Sequence, residues 1–121
     1  MPYIDTNEIY KKRTKSLSLK IIKLCEDIPY RRASNNIVNQ LLRSSTSVTA
    51  NYRAYCRARS IKERYSKLCT VVEEADETCL WLEFLIEAGY VKREETKDIY
   101  NEATAIMKIM SSFRSKIRQQ L

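Results

Sequence analysis

Turn-forming residues are nearly absent from this chain: Gly89 is its only glycine, and Pro2 and Pro29 are its only prolines, in 121 residues. A β-sandwich or barrel needs a glycine- or proline-marked turn about every ten residues, so those folds are excluded. Disorder is excluded as well, because 44% of residues are apolar and tyrosine occurs eight times. What remains is a small set of long helices with few breaks. The length suits a single domain, taken as residues 1–121.

Apolar periodicity marks four helices. Asp5 and Glu8 have the spacing of a capping box, and Tyr10, Thr14, Leu17, Ile21, Leu24 and Ile28 follow at alternating steps of four and three. Pro29 ends that segment, since a residue before proline leaves the α region. Ser34 is the predicted N-cap of a second helix, striped by Ile37, Leu41, Ser44 or Ser45, Val48, Tyr52 and Tyr55. Its middle, Ser44-Ser45-Thr46-Ser47, is a weak helix former. Small side chains there let a neighbour approach closely, with hydroxyls bonding back to the preceding turn.

A second capping box, Ser60 with Glu63, starts a third helix near Ile61. Its stripe is Tyr65, Leu68, Val72, Ala75, Cys79, Leu82 and Ile86, which Leu80, Trp81, Phe84 and Leu85 widen beyond one face. Gly89 stands where a helix end favours a left-handed residue. The fourth helix runs from about Arg93 to Gln119, with Ile99, Ala103, Ile106, Met110, Phe113 and Ile117 inward. Four such helices on short links predict an all-α, up-down-up-down antiparallel four-helix bundle. One bundle buries one stripe per helix, so the surplus on the third helix predicts an oligomer contact. Trp81 reads equally as a core residue or as an interface anchor.

Several chemistries drop out. With no histidine, there is no Ser-His-Asp or Cys-His pair, no imidazole zinc site and no Glu-x-x-His di-iron motif. The helical RNases with an Arg-x4-His motif are excluded for the same reason. Cys25, Cys56, Cys69 and Cys79 show no C-x-x-C spacing, and the favoured reading is four reduced thiols acting as small hydrophobes. No metal, no cofactor and no catalytic residue is predicted. The start of the chain becomes charged quickly and no apolar run is long enough to span a bilayer, so the expected location is the cytoplasm.

The net charge of +7 is unevenly spread. Residues 1–67 hold 15 basic and 5 acidic side chains, whereas residues 68–91 hold six acids and no base. Arg53, Arg57, Arg59, Lys62, Arg64 and Lys67 straddle the second link with only Glu63 among them. In antiparallel helices they share one end of the rod, where guanidinium groups suit phosphate. A solvated helix end is the plain alternative. Arg31 and Arg32 in the first link are candidates to extend that surface. Lys11, Lys12, Arg13, Lys15, Lys20 and Lys23 on the first helix read as a solvated face. Tyr52, Tyr55 and Tyr65 are placed to stack on bases, although their spacing favours core packing. Glu73 and Glu77, with Trp81, are the expected oligomer contacts, an acidic face meeting the basic helix of the next copy.

Three stretches are distinctive: residues 42–53 (LRSSTSVTANYR), residues 56–60 (CRARS) and residues 73–83 (EEADETCLWLE). Together they resemble the bacterial 23S rRNA intervening-sequence proteins, a family that includes the accessory variability determinants of diversity-generating retroelements. The resemblance spans nearly the whole chain. It implies a ring-like homopentamer of four-helix protomers with a basic, nucleic-acid-binding surface. In the retroelement branch it implies pairing with a reverse transcriptase and its template RNA. Thr49 replaces a glycine common in the family and Ala54 an acid, the latter leaving the local patch more basic.

The expected function is therefore non-enzymatic binding of RNA or DNA, mainly through phosphates, by a homo-oligomer. The alternative is a protein-binding scaffold that docks a partner such as a reverse transcriptase and has no direct nucleic-acid role.

Overall fold

The computed structural model describes residues 5–121. The reading of the start of the chain, Met1 to Ile4, lies outside the described residues. Four helices make up the fold, α1 (Thr6–Glu26), α2 (Arg32–Arg57), α3 (Ile61–Glu87) and α4 (Arg93–Arg118), with no strand among the described residues.

Local chemistry explains most of the boundaries. The Asp5 carboxylate accepts the Glu8 backbone N–H at 3.2 Å and so caps α1. Ser60 caps α3 by accepting the Glu63 N–H at 3.1 Å, while the Glu63 carboxylate takes the Arg59 N–H at 3.2 Å. At the other end of α3, Gly89 adopts φ +80°. There the Gly89 N–H donates to the Ile86 carbonyl and the Tyr90 N–H to the Leu85 carbonyl, which closes the helix. The start of α2 differs from expectation. Arg31 is its N-cap residue and makes no side-chain cap. Ser34 lies one turn inside, where its hydroxyl donates to the Pro29 carbonyl at 3.0 Å and ties the link down instead.

α2 packs on α1 and on α3, α3 packs on α4, and α1 meets α4 more sparsely, so α1 and α3 lie diagonally across the bundle. The core holds Leu17, Ile21, Leu41, Val48, Tyr52, Leu68, Leu82, Ile106 and Met110 on the expected stripes. Each aliphatic side chain there contributes roughly 1.5–3 kcal/mol by leaving water. Val71, Thr78 and Leu85 are buried too, because α3 touches two neighbours and one stripe is not enough. Ile86, expected inward, is only half-buried.

The serine-rich middle of α2 is the closest polar seam. Ser18 on α1 bonds the Ser45 carbonyl at 2.8 Å and the Thr49 hydroxyl at 2.7 Å. Thr78 on α3 donates to the Ser44 hydroxyl at 3.0 Å. Ser44, Ser45 and the exposed Thr46 also bond back to the preceding turn, so the two buried serine hydroxyls are satisfied. Across the sparser α1–α4 contact, Arg13 clamps Glu102 with two bonds, at 2.7 and 2.8 Å. That fork removes Arg13 from the solvated lysine face of α1 and raises its pKa further.

Candidate nucleic-acid interface

α2 stops at Arg57 and α3 starts at Ile61, and the link between them is held by the Ser60 cap. This short turn gathers Arg53 and Arg57 from α2, Arg59 from the link, and Lys62, Arg64 and Lys67 from α3. An open groove of about 610 Å³ runs between the helices here, lined by Ala54, Arg57, Arg59, Glu63 and Lys67. Ala54 adds no charge to its wall, so Glu63 is the one acid facing three cations. The positive pole of α3 and the negative pole of α2 meet at this link and offset one another. Side-chain charge therefore sets the local field.

The ion pairs among the described residues are Arg13–Glu102, Arg43–Glu74 and Arg43–Glu77. None involves a cation of this groove. Arg53, Arg57, Arg59, Lys62 and Lys67 thus stand without a carboxylate within ion-pairing distance. Arg64 is different. Its guanidinium lies 5.2 Å from the centre of the Tyr55 ring and donates to the Tyr55 hydroxyl at 3.3 Å, which holds it against the bundle.

The tyrosines do not face this groove. Tyr52 is fully buried, Tyr55 is 7% exposed, and Tyr65 is half-buried against the core. Their rings are packing elements, the reading their spacing favoured. Burial pushes the Tyr52 hydroxyl well above the ordinary phenol range, helped by the neighbouring Cys56 and Tyr55. That hydroxyl has no hydrogen-bond partner of good geometry. Burial also raises the Cys56 thiol, with Tyr52, Lys11 and Arg64 opposing.

More cations reach this end than the chain order suggests. Tyr10 near the start of α1 stacks edge-on against Tyr52 at 6.3 Å and against Phe113 near the end of α4 at 5.4 Å. Lys11 and Lys12, together with Arg114, Lys116 and Arg118, therefore sit at the same end as Arg57 and Arg59. Counting charge by bundle end, instead of along the chain, would have found them. The structure does not bring Arg31 and Arg32 to this groove. They open α2, whose 26 residues put them on the order of 38 Å from Arg57.

The outward face of α3 carries the expected contact residues. Leu80 and Phe84 are 43% and 47% exposed, and the half-buried Trp81 ring lies 5.7 Å from Phe84. The Trp81 indole N–H is buried without an acceptor. Glu73 is exposed, while Glu77 is held by Arg43 at 2.8 Å, alongside Glu74 at 3.0 Å. Burial raises the Glu74 carboxyl despite the pull of Arg43. Leu19 and Ile22, on the outside of the diagonal helix α1, are also exposed, among its lysines.

Cys25, Cys56, Cys69 and Cys79 are free thiols. No group of three or more metal-ligating side chains exists among the described residues, and no described helix is long and apolar enough to cross a membrane.

The fold has a counterpart in a known structure. A 1.70 Å crystal structure of a protein of unknown function from the S23 ribosomal protein family, from Bacteroides thetaiotaomicron VPI-5482, superposes with a TM-score of 0.82. It is 31% identical, over 90% of this chain and 97% of that one. No curated protein matches the chain. The family profile described as 23S rRNA-intervening sequence protein matches residues 6–112, from the first turn of α1 to the last turns of α4. The chain belongs to the family of 23S rRNA-intervening sequence proteins.

Proposed function

We propose that this protein is a non-enzymatic nucleic-acid-binding protein that holds RNA or DNA mainly by its phosphates. The observation that carries the reading is the set of cations around the α2–α3 link that lack carboxylate partners. Uncompensated charge at one end of a rod is a weak attractor in one copy and a strong one when copies gather. We read the bundle as up-down-up-down and antiparallel. The cross-helix pairs support this, since Ser44 meets Thr78 while Tyr55 meets Arg64, and Cys79 meets Thr104 while Glu83 meets Tyr100.

The proposed working form is a ring-like homopentamer in the cytoplasm. In support, the diagonal outward faces of α1 and α3 are complementary. Leu19 and Ile22 lie among lysines, and Leu80, Trp81 and Phe84 lie beside the exposed Glu73, with Glu77 already paired to Arg43. Joining one face to the other in the next copy is a heterologous contact that closes when the rotation permits. The family name ties such proteins to 23S rRNA, and the accessory subunit of a retroelement reverse transcriptase is the role we propose within that family. The second reading, a protein-binding scaffold, is favoured by the exposed Leu80 and Phe84, which suit a protein better than a phosphate.

Anisotropy of labelled RNA and DNA over a salt series tests the first reading, and light scattering tests the assembly. R57E/R59E should abolish duplex binding and leave the oligomer intact. Duplex binding that survives the double reversal would refute the groove assignment. A monomer at both low and high salt would refute the ring.

A further inference from the structure

Tyr30 is the most exposed large apolar side chain described, at 84%. It is nonetheless rigidly presented. Pro29 restricts the turn before it, and the Ser34 hydroxyl bonds the Pro29 and Arg31 carbonyls, at 3.0 and 3.4 Å. The Asn35 side-chain amide donates to the Tyr30 hydroxyl at 3.3 Å. Beside the ring lies a groove of about 180 Å³ floored by Ile28, Pro29, Val38 and Leu42. Arg31 and Arg32 follow directly, and neither is in an ion pair among the described residues.

From this arrangement we infer that the α1–α2 turn is a binding site for one unpaired nucleobase of a single-stranded nucleic acid. The ligand class rests on the nucleic-acid reading above. The base stacks on the Tyr30 ring over the apolar floor, and its polar edge meets the Asn35 carboxamide, whose oxygen accepts no bond in the structure. The flanking phosphates lie against Arg31 and Arg32. Glu26 also lines the groove, and its charge disfavours a phosphate inside it. Size and charge favour a nucleotide over a protein segment. The groove fits a single planar group, whereas a docked helix needs a much longer apolar track. Stacking on an aromatic side chain is how unpaired strands are held without sequence preference. The α2–α3 end offers nothing comparable, because Tyr52 and Tyr55 are buried there. The two ends therefore divide the work, cations for the backbone at one and an aromatic platform for an unpaired base at the other.

The test uses the full-length protein with a single-stranded DNA oligonucleotide carrying 2-aminopurine and with a duplex of equal length. Y30A should weaken single-strand binding about tenfold, abolish the fluorescence quenching that stacking produces, and leave duplex binding unchanged. Y30F, which keeps the ring, should behave as the parent protein. Single-strand affinity and quenching that are unchanged in Y30A overturn the inference. So does a Y30F loss as large as that of Y30A, which would assign the effect to the hydroxyl. If R57E/R59E loses binding while Y30A does not, only this inference fails. If the parent protein binds neither probe, the nucleic-acid reading fails with it.

Discussion

Replacing Arg57 and Arg59 together by alanine removes two cations from the α2–α3 groove without adding an acid. Five side chains around the α2–α3 link, Arg53, Arg57, Arg59, Lys62 and Lys67, lack a carboxylate partner among the described residues. If each neutralises one phosphate of a duplex, log K falls against log salt with a slope of about −4.5 per engaged protomer. Between about 50 and 200 mM salt that is a loss of roughly 500-fold in affinity. The double variant should fall to a slope of about −2.7, a loss of roughly 40-fold over the same range. R64A should leave the slope unchanged, because that guanidinium is held on Tyr55. The assay is anisotropy of a labelled duplex across a salt series, read as a slope and not as a single Kd. An unchanged slope in R57A/R59A, or a parent slope shallower than about −1, would refute phosphate binding by this groove.

Three further outcomes follow from the packing. Y52F should change stability by no more than about 1 kcal/mol, since the buried hydroxyl has only the Cys56 thiol, a weak acceptor, beside it; a larger drop in the urea midpoint would mean a stronger bond. R13A should cost about 1 kcal/mol, the upper end for a partly exposed fork on Glu102. R13K should recover less than half of that, because lysine cannot form the fork. Burial raises the Cys25 thiol from 9.0 to about 11, so its neutral form is favoured in the fold. The associated stability is complete below about pH 9 and is lost as pH rises through about 11. Urea midpoints against pH should therefore decline less steeply in C25A than in the parent protein.

Features carried by near neighbours in the chain were readable in advance. The Asp5 and Ser60 caps and the glycine turn at Gly89 need only three to five consecutive residues, and all three are present as expected. Ser34 was not readable as it stands, because its hydroxyl had two local partners to choose from and the link geometry selected the Pro29 carbonyl. Of the site residues, the groove cations lie close along the chain and so came together. Arg31 and Arg32 did not join them, because a helix of 26 residues separates them from the groove.

The spacing of apolar residues alone determined that this chain forms four helices and which stripe of each turns inward. Helix boundaries and apolar periodicity depend on residues within a few positions of one another, which the order of residues specifies; the further burial of Val71, Thr78 and Leu85 came from the two neighbours of α3. Tertiary packing decided what the polar groups do. It sent Arg43 to Glu74 and Glu77 and Arg13 to Glu102, and it sealed Tyr52 and Tyr55 in the core. It also brought the ends of α1 and α4 beside the α2–α3 link. A charge or a hydroxyl has many possible partners of the right chemistry along a chain, and only the assembled bundle sets which one lies within about 3 Å.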